Sequence, residues 1–327
     1  YKMIKAMSNH SRAISAVIIL LCNMSYVMYT FHITTEIYFL FLIISAFYHL
    51  QKYLSMQKTR DLLLSFALVC IATLCKPVLI YICIASFISL ITYFVLSKKI
   101  AACIPAALII LLSIGLQIFC MHAKFNINKI SCIDDLTMYR YLHTSVEAAK
   151  FHKDIATTML SRDQQLNLKT AGLPENTLYN VQHALVKEET RNILKNDLRY
   201  LVIAIADNFR SNFHTGNTFI RDMRVENKFI TPFRTQLFGI TRIWNMLFVI
   251  ILLTLNFVYV IRLFRGNSHP DKVVLLQLLL LLYADYIFVT AGTSFYQGDR
   301  FNIVWMPAVL IILMTQRANQ KTMAYNH

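Results

Sequence analysis

Several runs of apolar side chains, each about 20 residues long, constrain this chain more than any other feature. A run of that length crosses the hydrocarbon core of a bilayer as an α-helix. The composition agrees, because 57% of the 327 residues are hydrophobic and 15% are charged, against about 25% charged in soluble domains. The sequence therefore predicts an all-α polytopic membrane protein, with the lipid bilayer as its solvent.

Eight of these runs are predicted to be membrane helices, near residues 12–31, 36–51, 61–75, 78–97, 100–120, 241–263, 272–291 and 301–316. The third run is short and leads into Lys76-Pro77. Proline lacks a backbone donor and disfavours helix in the residue before it, so we expect a break there.

The distribution of Lys and Arg predicts the orientation. Half of the 32 basic residues lie in 121–240. If the chain starts inside the cell, thirteen of the other sixteen fall on the cytoplasmic side, as the positive-inside rule requires. Both termini are then cytoplasmic, which in a bacterium means a protein of the inner membrane. The net charge of +15 is explained by this topology and needs no nucleic-acid partner.

The segment 121–240 is predicted to be a separate, mainly helical domain on the outer side of the membrane. Its hydropathy falls, and 12 acidic residues join its 16 basic ones. Near its middle, Leu194, Leu198, Leu201 and Ile205 have helical spacing on one face. The predicted division is thus 1–120 (membrane), 121–240 (exoplasmic) and 241–327 (membrane).

The same topology places several charged residues from distant parts of the chain at one depth, near the outer membrane surface. They are Glu36, Lys76, Asp285, Asp299 and Arg300. An ionisable group inside a membrane span must face protein, water or a ligand rather than lipid tails. These residues are therefore the candidates for a functional site.

Each candidate also has a purely structural explanation that the sequence leaves open. Asp299 and Arg300 could form a solvated ion pair with each other, which stabilises little. Lys76 could extend to the outer lipid headgroups. Glu36 could be an acid that favours the dipole of a helix N-terminus, and Asp285 could be hydrogen-bonded to a neighbouring tyrosine.

Four segments, taken in order, resemble the GT-C glycosyltransferases that use polyprenyl-phosphate sugars. This superfamily includes the protein O-mannosyltransferases and the bacterial enzyme that adds aminoarabinose to lipid A. In relatives the third segment ends in Asn-Pro-x-x-Tyr, whereas Asp197 stands at the proline position here. The resemblance covers most of residues 11–316, and its segments are "YTFHITTEIYFLFLIISAFYHL", "ATLCKPVLIYI", "EETRNILKNDLRYL" and "GDRFNIVWMPAVLIIL".

The resemblance implies an enzyme that moves a sugar from a polyprenyl-phosphate donor to a glycan, lipid or protein acceptor at the outer membrane face, with inversion. Lys76 and Arg300 would bind the donor phosphate. Asp299 would aim or screen the Arg300 guanidinium, and Tyr296 would border a groove for the lipid tail. We therefore expect Glu36, Lys76 and Arg300 to surround one cavity.

The resemblance implies Glu36 as a catalytic acid, and Asp285 is a second catalytic candidate because an ionisable residue within a membrane span is by default a functional one. Glu36 would orient the sugar or the acceptor, or help to bind a divalent cation. The principal catalytic carboxylate of the family lies in the first outer loop, after the first membrane helix. No such loop is recognisable here, so we expect the sequence to be a fragment that begins after it and lacks the main base.

Two other functions fit the same topology. An O-antigen polymerase or ligase also has many helices and one large outer loop. Arg-rich outer loops would favour that function, whereas the Lys-Pro and Arg-Phe segments of this chain favour a GT-C enzyme. A transporter predicts inverted repeats and helices broken at the midplane. The sequence has no repeat, and its one expected break lies near the surface.

Overall fold

The computed structural model describes residues 1–31, 34–222, 230–264 and 271–316. Within these ranges the chain is almost entirely helical, with no β-strand. Six helices are long and apolar enough to cross a membrane, or seven if one bent pair counts as a single span. The prediction of an all-α polytopic membrane protein is confirmed.

The first half of the chain supplies three of the six spans, or four of seven if the bent pair is counted. Its α-helices, joined by short 3₁₀ or π-helical turns, are α1 (Lys2–Met7), α2 (His10–Cys22), α3 (Met24–Phe31), α4 (Thr35–Met56), α5 (Thr59–Cys75), α6 (Ile80–Leu96), α7 (Cys103–Ile110) and α8 (Leu116–Phe125). The spans among them are α4, Pro77–Leu96 and Ile100–Phe125, and the bent pair α2–α3 would be the fourth.

Among the described residues, the second half begins with six helices that are not candidate spans and ends with three that are. They are α9 (Ile133–Thr137), α10 (Thr144–Phe151), α11 (Ile155–Thr170), α12 (Glu175–Asn196), α13 (Leu198–Phe213), α14 (Thr218–Asp222), α15 (Ile230–Phe264), α16 (Lys272–Ala291) and α17 (Gly298–Thr315). The spans here are Thr231–Arg262, α16 and α17.

The first predicted span, 12–31, is not one straight helix. α2 and α3 meet at Asn23 with a bend of 73°. The buried Asn23 side chain accepts a hydrogen bond from the Ser25 backbone N–H at 3.0 Å. An asparagine that bonds its own neighbourhood offers the backbone an alternative to the helical ladder. The prediction of a continuous helix was wrong at this position.

The predicted break at Lys76-Pro77 is confirmed. α5 ends at Cys75, a 3₁₀ turn covers Pro77–Leu79, and α6 begins at Ile80. Lys76 is extended, with φ −137° and ψ 99°, as expected for a residue before proline. α5 has 17 residues, about 25 Å at 1.5 Å per residue, which is short of a core of about 30 Å. The count of eight spans therefore stays a prediction.

The chain divides into two compact units, and the first consists of Tyr1–Leu68, Phe213–Val289 and Gln297–His327. Its central element is α17, which packs against α1, α2, α3, α4 and α15. Along α17 the run from Ile303 to Met306 is fully buried. Because neighbours surround α17 on several sides, its first turn is held firmly, and that turn carries Asp299 and Arg300.

The second unit consists of Val69–Asn212 and Thr290–Tyr296. These boundaries differ from the predicted ones at 120 and 240, and the membrane side of 121–240 stays a prediction. The four apolar residues with helical spacing belong to two helices, since α12 ends at Asn196 and α13 begins at Leu198. Leu194 and Leu198 are more than half exposed, whereas Leu201 and Ile205 are partly buried.

An ionic network lies within the second unit. Arg162 donates to Glu147 at 3.1 Å and to Glu189 at 2.5 Å, and His143 is 2.9 Å from Glu189. Burial alone would raise the pKa of Glu189, but the hydrogen bonds from His143 and Arg162 lower it below its ordinary value. The guanidinium of Arg162 also lies over the Tyr139 ring at 4.1 Å. The network ties α11 and α12 to α10 and to the helical turn before it.

Candidate functional site

Glu36 and Arg300, which are 264 positions apart, form an ion pair in the first unit. Glu36 lies in the first turn of α4 and Arg300 in the first turn of α17. Oxygen Oε1 of Glu36 accepts from Arg300 Nε at 3.0 Å and from Nη2 at 2.7 Å. The Glu36 side chain is 1% exposed and that of Arg300 is 46% exposed. A buried carboxylate therefore holds a half-exposed guanidinium.

The guanidinium retains donor capacity beyond this pair. A third N–H, on Nη1, donates to Gln297 Oε1 at 3.1 Å. An arginine side chain has five N–H donors, so one N–H on each terminal nitrogen is left over among the described residues. Two terminal N–H groups of one guanidinium form the fork that binds phosphate in a bidentate manner. Arg300 thus combines a fixed orientation with an available anion-binding edge.

Among the described residues, the Asp299 carboxylate forms no ion pair with the guanidinium of its neighbour Arg300. Its fully buried carboxylate accepts from Tyr29 Oη at 2.8 Å, from the Thr218 backbone N–H at 2.8 Å and from Thr218 Oγ1 at 2.7 Å. We call these three residues the Asp299 network. It joins α3, the start of α14 and the first turn of α17. The structural alternative of an Asp299–Arg300 ion pair is therefore wrong for the described residues, whereas the role of Asp299 in aiming or screening the guanidinium stays a prediction.

α3 and α4 both pack against α17, which explains why Tyr29 and Glu36 reach its first turn. The Tyr26 hydroxyl donates to the Ile303 carbonyl oxygen, one turn beyond Asp299. The Tyr29 ring lies edge-on to Phe219 of α14, with ring centroids 4.8 Å apart. Glu36, in the first turn of α4, binds Arg300. Together with the Tyr29–Asp299 and Tyr26–Ile303 hydrogen bonds, this contact holds the first turns of α17 in place.

The loop before α17 is held within the second unit by polar side chains of α13. Asn212 Nδ2 donates to the carbonyl oxygens of Ala291 and Ser294 at 2.7 and 2.6 Å. The Tyr296 backbone N–H donates to Ser211 Oγ at 3.3 Å. Tyr296 has φ +54°, a strained value for an aromatic residue, and its side chain is half exposed. The strained residue lies four positions before Arg300.

The sequence also predicted Asp285 and Lys76 as site residues. Asp285, on α16, accepts from Asn256 Nδ2 of α15 at 2.7 Å, so its partner is an amide and not the tyrosine that the sequence suggested. The Tyr283 hydroxyl donates instead to the Val304 carbonyl oxygen. Lys76 is half-buried and belongs to the second unit. That Lys76 shares a cavity with Glu36 and Arg300 stays a prediction.

Sequence reasoning missed Tyr29, Thr218 and Gln297. Tyr29 sits in an apolar run, where a tyrosine resembles any other large side chain. Thr218 follows "HTGN", a turn-like stretch, and its role depends on a residue 81 positions away. Gln297 precedes Arg300 by three positions, so the spacing of neighbouring helical turns was the one available signal.

The described residues contain no group of three or more His, Cys, Asp or Glu side chains that could hold a metal ion. Glu36, the residue predicted to help bind a divalent cation, has one carboxylate oxygen committed to Arg300 and the other 3.4 Å from Thr35 Oγ1. A carboxylate engaged in this way does not fit a cation at Glu36.

The N-terminal part of the chain matches a known protein family. Residues 1–123 match the model of the dolichyl-phosphate-mannose-protein mannosyltransferase family. The match supports a membrane glycosyltransferase of the GT-C type. It includes Tyr29, Glu36 and Lys76, and it stops before Thr218 and Arg300. No curated protein and no solved structure matches the chain. The resemblance to GT-C enzymes in the sequence is therefore supported for the N-terminal part of the chain.

Proposed function

We propose that this GT-C type protein transfers a sugar from a polyprenyl-phosphate donor to an acceptor at the outer membrane face, and that Arg300 binds the donor phosphate. The observation that carries the proposal is the Arg300 guanidinium, which Glu36 holds from one side and which keeps two N–H donors on a half-exposed edge. Its position in the first turn of α17 adds the positive end of the helix dipole, which also favours an anion.

The proposed reaction is a direct displacement at the anomeric carbon. The acceptor oxygen or nitrogen forms a bond to this carbon while the bond to the phosphate oxygen breaks. The electron pair leaves with the polyprenyl phosphate, and a carboxylate base takes the acceptor proton. Negative charge on the phosphate grows as the bond breaks, so a fixed guanidinium stabilises the transition state more than the bound donor. The anomeric centre inverts.

The geometry favours a positioning role for Glu36 in place of the catalytic role suggested by the sequence. A carboxylate that is 1% exposed and bound to two N–H groups of Arg300 is poorly placed to reach a sugar or an acceptor. Asp285 keeps its proposed catalytic role. The carboxylate base that takes the acceptor proton is not assigned to Glu36 or to Asp285. Lys76, which belongs to the second unit, keeps its proposed role as a second cation for the phosphate on the resemblance of its sequence segment alone.

Arg300→Ala, Arg300→Lys and the control Arg140→Ala test the proposal in a transfer assay with purified polyprenyl-phosphate mannose. Arg140 is a matched control because it is 50% exposed and also pairs with one carboxylate, Asp163. We expect Arg300→Ala to lower transfer per folded protein on the order of 100-fold. Arg300→Lys should recover little of the loss, since lysine lacks the planar fork. Near-normal transfer by Arg300→Ala would reduce Arg300 to a structural charge.

A further inference from the structure

The Asp299 network has no direct part in the proposed reaction. The Asp299 side chain is fully buried, so it touches neither donor nor acceptor. It nevertheless sits in the same helical turn as Arg300, and its three hydrogen bonds come from two other segments of the chain. Whatever fixes the backbone at Asp299 also fixes the direction in which the Arg300 side chain leaves α17.

Arg300 is constrained both at its guanidinium and at its backbone. Glu36 holds the tip of its side chain from α4, whereas the Asp299 network holds its backbone through α3 and α14. Thr218 contributes twice, through its backbone N–H and through its hydroxyl. The start of α14 is itself tied to α15, because the Asn217 N–H donates to Thr241 Oγ1 at 2.9 Å and Asn245 Nδ2 donates to the Thr215 carbonyl oxygen at 2.8 Å.

We propose that Asp299 is a positioning residue that aligns Arg300 by fastening α3 and the start of α14 to the first turn of α17. The consequence for the reaction rests on the proposed function, whereas the alignment itself does not. Charge-assisted hydrogen bonds to a carboxylate are roughly twice as strong as neutral ones. Loss of the network lets the first turn of α17 shift, and the guanidinium then leaves Glu36 for part of the time.

The alignment is tested without any sugar substrate, by the rate at which a dicarbonyl reagent modifies Arg300, read by mass spectrometry. In the same sample Arg140 serves as the internal control, because its side chain is 50% exposed against 46% for Arg300. Asp299→Ala should raise the Arg300 rate on the order of tenfold, the factor expected when a hydrogen bond to a charged group is lost. The Arg140 rate should not change.

Thr218 offers a milder matched pair in case Asp299→Ala fails to fold. Thr218→Val removes the hydroxyl donor and keeps the shape and the backbone N–H, whereas Thr218→Ser keeps both donors. We expect the Arg300 labelling rate to rise about threefold in Thr218→Val and to match the wild type in Thr218→Ser. Equal Arg300 rates in the wild type and Thr218→Val would overturn the proposal, as would a rise that Thr218→Ser shares.

A second measurement connects the alignment to transfer. Thr218→Val should lower kcat several-fold while Arg300 is intact, and should have a much smaller effect in an Arg300→Lys background, because there is no fork left to align. The same fold loss in both backgrounds would show that Asp299 does not act through Arg300. If the wild type transfers no sugar from polyprenyl-phosphate mannose, the proposed function fails, and the labelling rates still decide whether the network holds Arg300.

Discussion

The Glu36–Arg300 pair predicts that the losses of unfolding free energy in a double-mutant cycle do not add. Arg300→Ala leaves the Glu36 carboxylate buried, at 1% exposure, without its guanidinium. Removing one partner of a fully buried pair costs about 3–5 kcal/mol, and an exposed pair contributes about 0–1 kcal/mol. Since the Arg300 side chain is 46% exposed, water reaches the vacated space, and we expect a loss of about 2 kcal/mol between these limits.

The double variant Glu36→Gln/Arg300→Ala should be more stable than Arg300→Ala alone, because a neutral amide is cheaper to bury than a charge. We expect it to recover about 1 kcal/mol, a coupling within the usual range for residues in contact. The assay is urea unfolding of the purified protein in detergent, followed by tryptophan fluorescence, with Glu36→Gln as the fourth corner. If the losses of the two single variants simply add in the double variant, the pair does not stabilise the fold and the reasoning is refuted.

Two further predictions concern other parts of the chain. The first is pH dependence: the pKa of Glu189 is lowered in the folded state, so its contribution to stability is present above the ordinary glutamate pKa of about 4.3 and is lost as pH falls through the lower folded value. Urea midpoints should therefore fall below about pH 4.3 more steeply in the wild type than in Glu189→Gln, and identical slopes would contradict the role of the network. The second is orientation: in a Cys-less background, a thiol reagent confined to the outside should label Lys187→Cys and not Lys98→Cys, two exposed positions that the predicted topology places on opposite sides. Labelling of Lys98→Cys alone would reverse the topology.

The helical membrane architecture follows from local sequence. Apolar runs of about 20 residues must satisfy their backbone groups internally in lipid, so each becomes a helix wherever the rest of the chain lies. Pro77 acts through its own ring and its missing N–H, and the break there was equally predictable. Glu36 and Arg300 could be named as candidates because a charge in an apolar run is conspicuous in any context.

What each charge binds was decided by tertiary structure. The sequence places Asp299 beside Arg300, yet Asp299 bonds Tyr29 and Thr218, and Arg300 bonds Glu36, 264 positions away. The 73° bend at Asn23 combines a local and a tertiary contact, because Asn23 accepts from the Ser25 N–H and donates to Met306 Sδ of α17, 283 positions away. Partners such as these depend on which helix faces meet, and many pairings of the same faces satisfy the same hydrophobic pattern. Periodicity records which side of a helix is apolar, but only packing determines which helix covers it.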